Sequence, residues 1–167
     1  MAKPKKKQRN KPKQTWSMYP SLDPAVASIL LESDLIFPFR AADDNKDMIA
    51  HHDTHVKGRF NCKSTICGRA FWSSKMVGIT IRIYPNNEYN VRVWRQRCNG
   101  CKQLCKPTLD DTYANRVAAY LMEWSGSISK APPPREKSRG PHNSRLYEGC
   151  KHGHCKRGAK LDKDNTS

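Results

Sequence analysis

Residues 62–101 read CKSTICGRAFWSSKMVGITIRIYPNNEYNVRVWRQRCNGC. Two short cysteine loops, Cys62-x4-Cys67 and Cys98-x2-Cys101, enclose 30 residues. Within them Ile79, Ile81 and Ile83 alternate with Thr80, Arg82 and Tyr84, the side-chain period of a strand. Pro85-Asn86-Asn87 predicts a turn. Tyr89, Val91 and Val93 then alternate with Asn90, Arg92 and Trp94, so the pair predicts a β-hairpin with one buried face. The hairpin brings the two cysteine loops together, and each loop presents two sulfurs on one knuckle. Cys62, Cys67, Cys98 and Cys101 are therefore expected to form a closed zinc site with four thiolate ligands; the alternative pairing has Cys150 and Cys155 share a zinc with Cys62 and Cys67. The fold expected around it is a small α+β zinc-binding domain. It has a zinc-ribbon-like antiparallel hairpin or sheet with zinc knuckles, one or two short helices and disordered basic tails.

Outward from the hairpin, Asp110 and Asp111 open a helix. Tyr113, Val117, Tyr120, Leu121 and Trp124 fall on one helical stripe that could cover the sheet, and Gly126 ends it. On the other side, Asp23 predicts an N-cap with Pro24 at the first helical position. That helix runs to about Ser33, with Val26, Ile29 and Leu30 on one face. Phe37-Pro38-Phe39 reads as extended chain, and residues 41–56 as a polar stretch with His51, His52 and His55. The expected organisation is a disordered basic tail over 1–14, a short helix and extended acidic segment over 15–56, and the zinc-binding domain over 57–156. Residues 127–141, rich in Ser, Pro, Lys and Arg, form a flexible insert of that domain, and 157–167 a second disordered tail.

The chain has 167 residues, 37% of them hydrophobic, and a formal net charge of +16. That composition excludes a large apolar core. No stretch approaches the roughly 18 apolar residues of a membrane span, and no apolar segment follows the basic N-terminus as in a signal peptide. The expected setting is intracellular, cytoplasm or nucleus, where cysteines stay reduced. An odd count of seven cysteines also fits a disulfide framework poorly, so clustered reduced cysteines favour metal. The metal is expected to supply much of the folding free energy, so that chelation unfolds residues 57–156. A second zinc is expected at Cys150 and Cys155 with His142 as third ligand; His152, His154 and Cys105 are the candidates for the fourth. Nothing nearby resembles an orienting acid or an oxyanion-hole turn, so the chain reads as non-catalytic.

The charge is segmented. Residues 1–14 hold seven basic residues and no acid, residues 15–56 two basic and seven acidic, residues 57–106 eleven basic and one acidic. Arg92 and Trp94 share one strand face with Arg82 and Tyr84 of the neighbouring strand, and Arg95, Arg97 and Lys102 lie near the second knuckle. An open face of arginine and aromatic rings suits single-stranded nucleic acid, by phosphate pairing and base stacking. A sheet covered on both faces would instead bury Trp94. The tail lysines suit nuclear import or a nonspecific RNA-binding arm. RNA is the first expected partner; the alternative is a zinc-stabilised protein-interaction adaptor using the acidic, apolar segment 20–56.

A set of motifs resembles the 3CxxC-type zinc finger family, in its fungal branch. They are Gly58-Arg59-Phe60-x-Cys62, Cys67, Trp72-Ser73-Ser74-Lys75, the Ile79-x-Ile81-x-Ile83 strand, Glu88-Tyr89-Asn90, Gln96-Arg97-Cys98-x-x-Cys101, Pro141-His142 and Glu148-Gly149-Cys150-Lys151-x-Gly153-His154-Cys155. The family includes receptor-transporting proteins, which assist membrane receptors to the cell surface, and zygote arrest proteins, which bind messenger RNA. The resemblance implies zinc binding and a β-rich zinc fold. It also implies ligand roles for Cys62, Cys67, Cys98, Cys101, Cys150, Cys155 and His142. One position departs: where the family's third pair begins with cysteine, this chain has Tyr147, so the second site lacks one sulfur unless Cys105 or a histidine replaces it.

Overall fold

The computed structural model describes residues 13–68, 71–126 and 146–154. Most of the basic tail, the 127–141 insert, His142, Cys155 and the 157–167 tail lie outside these residues. Seven strands are present among the described residues: β1 (Trp16–Ser17), β2 (Ala50–Asn61), β3 (Phe71–Ile83), β4 (Tyr89–Trp94), β5 (Gln96–Arg97), β6 (Leu104–Cys105) and β7 (Pro107–Leu109). Three α-helices accompany them: α1 (Asp23–Leu31), α2 (Thr112–Trp124) and the single turn α3 (Glu148–Lys151).

The expected hairpin is β3–β4, with Ile79 opposite Val93, Ile81 opposite Val91 and Ile83 opposite Tyr89. Its turn places Asn86 and Asn87 at φ 62° and 58°, the left-handed region that asparagine tolerates better than most residues. The hairpin is the middle of a larger antiparallel sheet in the order β1-β4-β3-β2-β7; β5 and β6 form a separate pair.

Both faces of the sheet are covered. On one, the β3 isoleucines and Tyr89, Val91 and Val93 pack with Val26 and Leu30 of α1 and with Tyr113, Val117, Ala118 and Leu121 of α2, all buried. The α2 stripe is thus as read, with Ala114 and Ala118 added to the buried side, except at its end, where Trp124 is 43% exposed. Asp110 Oδ1 accepts from the Thr112 amide at 2.9 Å, and Gly126 at φ 79° ends the helix as glycine commonly does. Helix α1 starts one residue earlier than expected. A 3-10 turn over Pro20–Leu22 leads into it, so Asp23 is already helical and makes no cap. Its carboxylate accepts from Tyr89 Oη at 2.5 Å instead, which ties the helix to β4.

The second face overturns the expectation of a one-sided hairpin. Residues 42–45, Trp16 of β1 and the segment 147–154 lie over it. The polar stretch 41–56 is also not all extended loop: from Ala50 it is β2, twelve residues long and paired with β3 along its length. β2 runs through position 57, where the charge pattern changes, so segment 15–56 and the zinc-binding residues share one sheet and one core. Gly58 sits where β2 crosses β7. A Cβ there would lie 2.9 Å from Val77 Cγ2 and 3.3 Å from Leu109 and Pro107 side-chain carbons, so only glycine fits without displacement.

Candidate metal centre

The first cysteine loop follows β2 and the second follows β5, so both hang from strand ends. The four sulfurs of Cys62, Cys67, Cys98 and Cys101 lie within 4.8 Å of one another. Cys62 Sγ is 3.4 Å from Cys101 Sγ, and Cys67 Sγ is 3.6 Å from Cys98 Sγ. These separations are too long for disulfides, whose sulfurs sit about 2.05 Å apart. They match a metal tetrahedron: Zn–S bonds of about 2.3 Å place ligand sulfurs about 3.8 Å apart. The second knuckle is shaped for this packing. A Cβ on Gly100 would come 2.9 Å from Cys67 Sγ and 3.7 Å from Cys98 Sγ.

The electrostatics suit a cation. Amides of Cys101 and Gly100 donate to Cys98 Sγ and, against the cost of burial, pull its thiol down to about 6. Cys62 moves the other way, up to about 12: a hydrogen bond from the Ser64 backbone favours its thiolate, but burial and the sulfurs of Cys101, Cys98 and Cys67 outweigh it. Four sulfurs this close cannot all hold negative charge unaided. A divalent ion removes the conflict, and the donor set, four soft sulfurs with Cys98 buried and Cys101 at the surface, is that of a structural zinc.

The family model described as a zinc-binding domain, the 3CxxC zinc ribbon, matches residues 55–153, more than half of the chain. The chain belongs to the 3CxxC zinc-ribbon family. No curated protein and no solved structure matches it. The 3CxxC family is a zinc-binding one, and the four converging sulfurs of the two knuckles fit a zinc site.

The remaining predicted ligands are placed differently. Cys105 is buried on β6 and its thiol donates to the Gln103 carbonyl at 3.5 Å. Burial first, then the charges of Cys98 and Cys101, push that thiol up, and its sulfur is not among the four that converge. Cys150 is half-buried on α3 and belongs to neither group of converging ligand atoms among the described residues. His142 and Cys155 are outside those residues. Tyr147 bridges to Gln96 of β5. His154, one of the candidates for a fourth ligand, does converge with others, but with His51 and Asp53 of β2, which the sequence reading left unassigned. Their signal was present as alternation: positions 51 and 53 are two apart, the same face of a strand.

The expected nucleic-acid face is corrected most. Arg82, Tyr84 and Trp94 are 1%, 0% and 3% exposed. Arg82 Nη2 donates to Asp43 Oδ1 at 2.5 Å and its Nε to Asn90 Oδ1 at 2.8 Å. Arg92 Nε reaches the same Asp43 oxygen at 2.9 Å, and its guanidinium lies over Trp16. Arg97 pairs with the buried Glu148 at 2.8 Å. Lys102 is exposed at the second knuckle and donates to the Asn99 carbonyl at 2.9 Å. Burial costs a charged group heavily unless it is paired, and the acidic segment supplies that pairing. Arg95 opens onto a cleft. Its Nε donates to Ser17 Oγ at 3.0 Å, and it lines a cavity of about 950 Å³ with Lys13, Lys63, Lys106 and Tyr19. No Asp or Glu lines that cleft.

Proposed function

We propose that this chain is a zinc-stabilised, non-catalytic module that binds nucleic acid, single-stranded RNA first, along this basic cleft. The cleft itself carries the reading: four cationic side chains converge with no carboxylate among them. Lys63 belongs to the first knuckle and Lys106 follows β6, so zinc binding would fix both. Lys13 is the last of the seven basic residues in 1–14, which extends the cationic track along the chain. Lysine ammonium groups and an arginine suit phosphates. Closed sulfur coordination leaves no metal position for chemistry, which supports a binding role.

Anisotropy of a labelled single-stranded RNA, measured against salt, tests this. Affinity is expected to fall steeply with ionic strength, and Lys63→Glu with Lys106→Glu to cut the log–log slope by about 1.4, two contacts at about 0.7 each. Salt-insensitive binding, or an unchanged slope in the double variant, would contradict it.

A protein-interaction adaptor, extending to membrane-protein trafficking, is the second reading. It rests on Leu31 and Ile36, 63% and 72% exposed within the 20–56 segment. No helix among the described residues is long and apolar enough to cross a membrane.

A further inference from the structure

We propose a second divalent transition-metal site, on the sheet face opposite the helices, with His51, Asp53 and His154 as ligands. The three come from two places distant in sequence. β2 projects His51 and Asp53 from one face, two residues apart. The chain after α3 returns across that face and sets His154 beside them. One ligand atom from each lies within 4.8 Å of the other two. His154 Nδ1 is 2.9 and 3.0 Å from the two Asp53 oxygens. The His51 and His154 ring centroids are 6.1 Å apart. Metal bonds of about 2.0–2.2 Å to nitrogen and oxygen separate neighbouring ligands by roughly 3.3–3.6 Å. Asp53 and His154 lie slightly inside that separation, and His51, exposed on β2, offers a ring nitrogen within 4.8 Å of both.

The surrounding groups are those that orient metal ligands. Thr80 Oγ1 donates to Asp53 Oδ1 at 2.6 Å, and Trp94 Nε1 donates to that threonine at 3.0 Å. Trp94 also stacks on His154 at 5.1 Å, which fixes the plane of the imidazole. A carboxylate held by a hydroxyl and an imidazole held by a ring form the supporting shell that tuned metal sites carry. Asp53 and His154 are partly screened, with side chains 19% and 28% exposed. Two imidazoles and one carboxylate suit a first-row divalent ion such as zinc, manganese or iron. With three protein ligands, the site leaves a position for water. The site needs no sulfur, so it does not depend on the cysteine that Tyr147 replaces.

The test is zinc content of the full-length chain, saturated with zinc and then desalted. Wild type is expected to keep about two zinc ions per chain, and His51→Ala and Asp53→Asn about one each. His51 is exposed, so its removal spares the fold; the side-chain amide oxygen introduced by Asp53→Asn would still accept from Thr80. Circular dichroism of both variants is expected to match wild type. About one zinc in wild type, or about two in both variants, would overturn the proposal. The latter would assign the second ion to the cysteines around position 150.

Discussion

Asp43 decides what the basic sheet face can do. Its carboxylate accepts from Trp16 Nε1 at 2.6 Å, Arg82 Nη2 at 2.5 Å and Arg92 Nε at 2.9 Å. Burial works against its ionised form, yet the hydrogen bonds from Trp16, Arg92 and Arg82 hold it below the ordinary value of 3.8. A carboxyl whose folded pKa is depressed stabilises the fold above its unfolded value and loses that contribution as pH falls through the folded one. Stability is therefore expected to drop on acidification below about pH 4, and Asp43→Asn to flatten that limb in urea titrations run against pH. Asp43→Ala leaves Arg82 buried without its counter-charge. The expected cost is about 3–5 kcal/mol, read as a shift in the denaturation midpoint at neutral pH. At this scale the cysteine ligands were legible, because knuckle spacing is local and the hairpin between them is regular. The partners of Arg82 were not, because Asp43 lies 39 residues away in sequence.

Among the elements, the short segment around α3 is fitted closely to the sheet. Gly149 sits against the Trp94 side chain, where an added Cβ would come 3.2 and 3.3 Å from the indole Cγ and Cδ1 and 3.5 Å from the tryptophan Cβ. His152 and His154 stack on the same ring. Gly149→Val is expected to lift residues 146–154 from the sheet. The Trp94 indole N–H, bonded to Thr80 in the native chain, would then exchange with solvent at least tenfold faster by NMR, about 1.4 kcal/mol of lost protection. Unchanged exchange would show that the segment does not depend on that contact. Strand β2 shows why some elements escape a sequence reading. β3, β4 and α2 each bury one uniformly apolar face, so their periods stand out. β2 instead sets His52 against Tyr120 at 4.5 Å and turns His51 and Asp53 to the other side. Polar residues on both faces hide the strand period, although Thr54, Val56 and Phe60 are buried. Trp94 was misplaced for a related reason: the groups that cover it come from β1 and from the far end of the chain.

For the whole molecule, the charge segments of the sequence are a folding pattern. The acidic stretch 15–56 lies on the basic stretch 57–106, through Asp43 with Arg82 and Arg92, and Arg40 with Glu88 repeats the exchange in reverse. Among the described residues part of the basic charge is thus used within the fold, while Lys13, Lys63, Arg95 and Lys106 line the cleft beside the first knuckle. The apolar core of the sheet, α1 and α2 is also more extensive than the composition implied, and the four-cysteine cluster lies at the strand ends of that packed domain. The central claim remains the four-cysteine centre, and the chain loaded with a single equivalent of zinc tests it. Its zinc-edge X-ray absorption is expected to show four sulfur neighbours at about 2.3 Å, whereas a shell of nitrogen and oxygen at about 2.0 Å would contradict the account.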